Sequence, residues 1–321
     1  MPASPPKSGN RLLALLRRFG PYLVTALILF AILRKTSPAE IAAQMREGNA
    51  LAMAPLAIGL MVVLLVLAAM WDLIVIRGSL GKPGYRDVVR GKAGTAVLMM
   101  LGYGFGHGAY GFWIARMTGC GARRAGGIVA YLVMSDLATV AIGASLAMGF
   151  AGDLVPAWLR FAVPGIGLTV LASMVAGPFV LGRMKNPPAF LDPWRLLPTW
   201  MGYAQIGGRL LNMALGVTAT WLGARIFGLS IPFLAMAAYL PVLLVIGALP
   251  INVGGLGAAQ AAWLLAFRPF ASDAQILAFQ LLWQLMTGVG LVLRGVPFVR
   301  RVITEIGEGR KRVETVPVME A

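Results

Sequence analysis

Apolar residues in this chain fall in long continuous runs rather than alternating with polar ones. Runs of roughly 17–25 residues have the length of a membrane-spanning helix, whereas a membrane barrel would show short alternating strands. Eight runs can be drawn, at about 20–33, 50–71, 94–115, 125–149, 158–181, 196–222, 231–267 and 275–299. The first follows Arg17 and Arg18 with no small-residue cleavage motif after it, so it reads as a retained anchor. Residues 37–48 offer Ser37 as a cap, Pro38 next to it and mixed polarity behind, which predicts a short interfacial helix. The polar stretch after Arg300 reads as a frayed tail.

Composition narrows the class further. The 321 residues are 59% apolar and only 12% charged, against about 25% charged in a soluble domain. A soluble enzyme and a disordered chain are excluded. Cys120 is the one cysteine and His107 the one histidine, so a disulfide scaffold, a cysteine or histidine metal site and histidine-based catalysis are not expected. No metal and no cofactor are expected.

The net charge of +16 invites a nucleic-acid reading, and its distribution argues against one. Of 28 basic residues, 21 lie in five clusters: Lys7 to Arg18, Arg77 to Lys92, Arg116 to Arg124, Arg183 to Arg195, and a C-terminal group from Arg294 to Arg312. Basic clusters flanking apolar runs mark the cytoplasmic side of a membrane protein. Placing all five inside puts both termini in the cytoplasm of a bacterial inner-membrane protein. It also forces 94–115 to begin and end inside, and 231–267 to begin and end outside. Both runs carry the means to turn back. The first has glycine at 102, 104, 106, 108 and 111, and glycine costs a helix about 1 kcal/mol relative to alanine. The second has Pro250 ahead of Gly254, Gly255 and Gly257. Broken backbone is tolerated at membrane depth only where protein or a wet cavity covers it.

The predicted fold is therefore an all-α polytopic membrane protein with six full crossings and two re-entrant or broken hairpins. Shifting the first half by about 148 residues lays its runs and its glycine break on those of the second, with Ser135-Asp136-Leu137 falling on Trp283-Gln284-Leu285. Each half has an odd number of crossings, so the second is inverted: residues 1–150 form one repeat, 151–300 the other, and 301–321 a polar cytoplasmic tail. Inverted repeats with broken helices facing a midplane site mark transporters.

Polar residues deep in apolar runs are costly and point to function or pairing. Asp136 and Arg209 each lie near the centre of their runs and are expected to pair, with Arg209 releasing Asp136 to hold a lipid phosphate. Asn252, Gly254, Gly255, Gly257 and Gln260 surround the second break. A half-helix starting near Gly257 would aim its N–H groups at an anion. His107 sits in the first break. Gln280 and Gln284 lie one turn apart in the last run and suit interhelical hydrogen bonds. The GxGxxG match at 106–111 lacks a preceding strand and carries no nucleotide reading.

The stretch Leu249-Pro250-Ile251-Asn252-Val253-Gly254-Gly255-Leu256-Gly257, followed by Ala258-Ala259-Gln260, resembles a motif of the flippase-like transmembrane domain of lysylphosphatidylglycerol synthases. The resemblance extends more loosely to the glycines at 102–111, the Arg116 to Arg124 loop and Ser135-Asp136-Leu137. It implies a membrane role in moving or metabolising a phospholipid, polyprenyl or hopanoid-type lipid. Gln260 stands where the family carries an acid, and Leu132 and Val133 where it carries a Glu-Arg pair, which favours a neutral or anionic lipid. The run ends about 20 residues before Ala321, so no aminoacyl-transferring domain is expected. The expected function is lipid translocation or handling without catalysis, with membrane lipids as partners and no nucleic acid. The alternatives are a non-transporting accessory protein beside a lipid- or hopanoid-synthesising enzyme, and a small-solute secondary transporter.

Overall fold

The structure is a computed structural model that describes residues 9–314 apart from 82, 185–187, 250, 251 and 253–255. The described residues form helices joined by turns, with no strand element. In chain order the α-helices are α1 (Gly9–Leu33), α2 (Pro38–Glu47), α3 (Ala50–Leu80), α4 (Tyr85–Ala96), α5 (Tyr103–Thr118) and α6 (Ala122–Ala151). The second half holds α7 (Ala157–Gly182), α8 (Asp192–Leu196), α9 (Thr199–Phe227), α10 (Phe233–Ala248), α11 (Ala258–Phe267) and α12 (Asp273–Glu314). Among the described residues, four helices are long and apolar enough to cross a membrane: α3, α6 with the turn after it, α9, and α12 as far as Thr304. Residues Tyr22–Leu33 of α1 and Pro38–Glu47 of α2 form a pair bent by 79°, and α10, α11 and the start of α7 are shorter apolar helices. The chain is an all-α polytopic membrane protein.

Local chemistry explains several boundaries. Ser37 caps α2 as its sequence suggested, its hydroxyl accepting from the Ala39 N–H at 3.3 Å with Pro38 at the first helical position. Asn49 caps α3 by accepting from the Ala52 N–H at 3.2 Å. Both long broken runs are interrupted at a glycine with positive φ. Gly102, at φ +146°, joins a tight helical turn over Val97–Leu101 to α5. Gly257, at φ +115°, opens α11. Residues with a Cβ rarely adopt either conformation.

Two boundaries depart from the sequence reading. Helix α3 runs on through Leu80, nine residues past the expected end at 71, and α4 begins at Tyr85, so helix precedes the first break from well before 94. The polar tail after Arg300 continues α12 as helix to Glu314 rather than fraying at once.

Packing follows small residues. A Cβ at Gly91 would lie 2.4 Å from the Trp113 indole of α5, and one at Gly295 of α12 would lie 2.7 Å from the Ala93 carbonyl of α4. Helix α4 is thereby seated against both α5 and α12. Its sequence, YRDVVRGKAGTA, is polar, yet Val88, Gly91 and the residues from Ala93 to Ala96 are buried. The two halves make matching contacts. Helix α4 packs on α12 and α10 on α6; α5 packs on α6 and α11 on α12; α12 packs on α3 and α6 on α9; and α3 packs on α9 across the middle.

Candidate functional site

Four charged groups are brought together where α3, α4, α6 and α9 meet. Asp72 on α3 is fully buried. Its two oxygens are held by different cations: the Lys92 ammonium of α4 donates to Oδ2 at 2.5 Å, and the Arg209 guanidinium of α9 donates through Nη2 to Oδ1 at 2.7 Å. The other terminal nitrogen of Arg209, Nη1, donates to Oδ1 of Asp136 on α6. The result is a four-residue chain, Lys92–Asp72–Arg209–Asp136, with two positive and two negative groups in alternation.

Exposure changes along this chain. The side chains of Asp72 and Arg209 are 0% and 5% exposed, Lys92 is 21% exposed, and Asp136 reaches 41%. Asp136 is the fifteenth residue of the thirty in α6, so its open carboxylate lies near mid-span. An ionised carboxylate facing hydrocarbon with one partner is costly, so an exposed acid at this depth is a candidate functional residue.

Close approach of the helices sets the geometry. A Cβ at Gly208, one residue before Arg209, would lie 2.0 Å from the Trp71 ring, which precedes Asp72. Only glycine lets α9 come near enough to α3 for the Arg209–Asp72 contact. On α6, a Cβ at Gly143 would lie 1.7 Å from the methyl of Met213 on α9. The Lys92 ammonium also lies 5.6 Å above the Tyr110 ring of α5, a cation–π contact. Gln205, one turn before Arg209, is fully buried with neither amide atom partnered among the described residues.

The expected pairing of Asp136 with Arg209 is present. His107 stands beside this cluster. Its ring meets Tyr103 edge to face at 4.2 Å and lies within electrostatic reach of Lys92, Asp72 and Arg209. At the second break, the described side chains bond the adjacent main chain. The Asn252 amide nitrogen donates to the Ile246 carbonyl at 2.6 Å, and its oxygen accepts from the Ala259 N–H at 3.0 Å. The Gln260 side chain accepts from the Gly257 N–H at 2.5 Å. Asn252 and Gln260 thus occupy the Ala259 and Gly257 N–H groups, which were expected to face an anion. Gly257 lies against Thr25 of α1, and a Cβ there would be 3.0 Å from its hydroxyl. The first break instead packs on α12, with a Cβ at Gly295 lying 2.3 Å from Val97 and one at Gly288 lying 4.0 Å from Met100. Gly254 and Gly255 lie outside the described residues. Gln284 is half-buried on α12, and Gln280 is buried one turn before it.

Sequence reasoning missed Asp72 and Lys92, assigning Lys92 to a cytoplasmic basic cluster. A signal was available. Asp72 is flanked by AAMW before it and LIVI after it, which marks an acid inside an apolar helix. Arg77 drew the boundary inward and hid it. Arg294, grouped with the C-terminal tail, is likewise a residue of the helix packing: its Nη1 donates to the Met61 carbonyl of α3.

The family model for the lysylphosphatidylglycerol synthase transmembrane region matches residues 18–295, which takes in every helix that builds the cluster. The chain belongs to that family. Membership connects it to membrane proteins of lipid handling. No curated protein matches the chain.

Proposed function

We propose that the protein moves or handles a lipid headgroup at the Asp136 end of the charged chain, as a flippase-like protein rather than an enzyme. The observation that carries this reading is the open, mid-span Asp136 paired with the buried Arg209. A headgroup phosphate reaching Arg209 takes the place of the Asp136 carboxylate, one oxygen anion for another. Arg209 keeps its second partner, Asp72, throughout, so the guanidinium is never bare. The lipid tails stay in the bilayer because the carboxylate faces outward from α6 beside Leu137, which is itself exposed. The reading needs no bond to be made or broken.

The paired packing of α4 on α12 and α10 on α6 supports an inverted repeat divided near residue 150. The distribution of basic residues supports an inner-membrane location with cytoplasmic termini. The free thiol of Cys120, in the turn between α5 and α6, provides a direct check on orientation. It is expected to react with an impermeant maleimide only in inside-out vesicles. A Ser230→Cys substitution in a Cys120→Ser background is expected to react only in right-side-out vesicles. The reverse pattern would overturn the assigned orientation.

A phospholipid carrying a photoreactive diazirine in its headgroup tests the site. Irradiation of the reconstituted protein is expected to attach it to α6 around Asp136 and Leu137, with attachment lost on adding excess unlabelled lipid. Adducts confined to the two ends of α6 would show that headgroups do not enter, and the reading would fail.

A further inference from the structure

Arg294 on α12 carries a positive charge that the described residues leave uncompensated. Its Nη1 donates to the Met61 main-chain carbonyl, and its Nε is buried without a partner. No carboxylate among the described residues forms an ion pair with it. The residue is held in place on both sides. A Cβ at Gly290 would lie 3.0 Å from Met61 of α3, and one at Gly295 would lie 2.7 Å from the Ala93 carbonyl of α4. Arg294 therefore emerges at the seam where α12 meets α3 and α4. Its neighbours Leu293 and Val296 are exposed, 58% and 54%, so the seam borders the lipid-facing surface.

Arg294 also lies within electrostatic reach of Lys92. Counted together, Lys92, Arg209 and Arg294 supply three positive charges, and Asp72 and Asp136 supply two negative ones. Among the described residues, one positive charge is left over. A lone charge inside the hydrocarbon is costly, and such residues are retained where they meet an ion or substrate. A main-chain carbonyl meets one N–H of the guanidinium and does not neutralise it.

We infer that Arg294 is an anion-binding station on the α3–α12 seam, and that its ligand is the phosphate of a lipid headgroup carrying one net negative charge. A guanidinium presents paired N–H donors that match a phosphate, and the ligand's single negative charge balances the one left over. The seam is the counterpart, in the matching contacts of the two halves, of the α6–α9 seam that holds Arg209 and Asp136. Two arginine stations on two corresponding seams would let a phosphate pass from one to the other. That passage rests on the function proposed above; binding at Arg294 does not.

Native mass spectrometry of the purified full chain separates the two. Phosphatidylglycerol and phosphatidylcholine with identical acyl chains serve as probes. The wild-type protein is expected to retain phosphatidylglycerol preferentially. Arg294→Gln, whose amide can still donate to the Met61 carbonyl, is expected to weaken phosphatidylglycerol binding about tenfold and leave phosphatidylcholine unchanged. Arg294→Lys is expected to keep most of the preference, and Arg300→Gln, at the exposed end, all of it. Retention of the full preference by a folded Arg294→Gln protein would overturn the inference. Displacement of phosphatidylglycerol by millimolar inorganic phosphate would overturn its lipid part and assign the site to a soluble anion. Arg294-dependent binding in a protein with no headgroup adducts on α6 would leave this inference standing while the proposed function falls.

Discussion

Asp72→Asn is expected to destabilise the protein by about 3–5 kcal/mol, the largest effect of any single substitution in the charged cluster. The carboxylate of Asp72 is fully buried and is the shared partner of Lys92 and Arg209. Neutralising it leaves two cations facing each other in a low-dielectric interior, with Asp136 able to answer only one. Arg209→Gln comes next, because it strands Asp136 while Asp72 keeps Lys92. Asp136→Asn comes last, since Arg209 retains Asp72 and the lost carboxylate is the half-open one. The same logic predicts a rescue. Asp72→Asn combined with Lys92→Gln removes one pair entirely and leaves Arg209 with Asp136, so the double variant is expected to recover more than half of the lost stability. Thermal melts of the purified proteins in detergent check the order. A double variant as unstable as the sum of its singles would show that the four residues do not act as a unit.

The fold class was legible in the sequence because burial in lipid demands long apolar runs, and those runs are visible without any tertiary knowledge. The breaks at Gly102 and Gly257 were legible in the same way, since glycines clustered within an apolar run weaken the helix where they fall. Ser37 and Pro38 announced α2 through local chemistry alone. What stayed hidden was polar sequence serving an interior role. Helix α4 reads as a loop because Arg86, Asp87, Arg90 and Lys92 crowd its twelve residues, yet packing between α5 and α12 buries one side of it. Lys92 could not be told from its surface neighbours without knowing that Asp72 waits on α3, 20 residues away in sequence. The pairing of Asp136 with Arg209 was legible because each stood by itself in an apolar run. Asn252 and Gln260 were legible as a group but not in their role. Their side chains hydrogen-bond the main chain at the end of α10 and the start of α11, and geometry of that kind leaves no trace in spacing.

Asp136→Asn is expected to have the largest effect on activity despite its mild effect on stability. Under the proposed function, the carboxylate competes with a headgroup phosphate for Nη1 of Arg209 and so draws the headgroup off again. With an amide in its place the arginine keeps its charge and gains an open position. Binding of an anionic headgroup is then stronger and its release slower. Tighter binding without release slows passage, and translocation is expected to fall about tenfold or more.

Headgroup translocation in reconstituted vesicles measures this most directly. Wild-type protein and Asp136→Asn are compared at equal, verified incorporation, using phosphatidylglycerol with a fluorescent headgroup and quenching from one side. The account predicts that the wild-type protein exposes the inner-leaflet label to the quencher, that protein-free vesicles do not, and that Asp136→Asn does so at least about tenfold more slowly. A folded Asp136→Asn protein that moves headgroups at the wild-type rate would contradict the claim that they pass between Asp136 and Arg209.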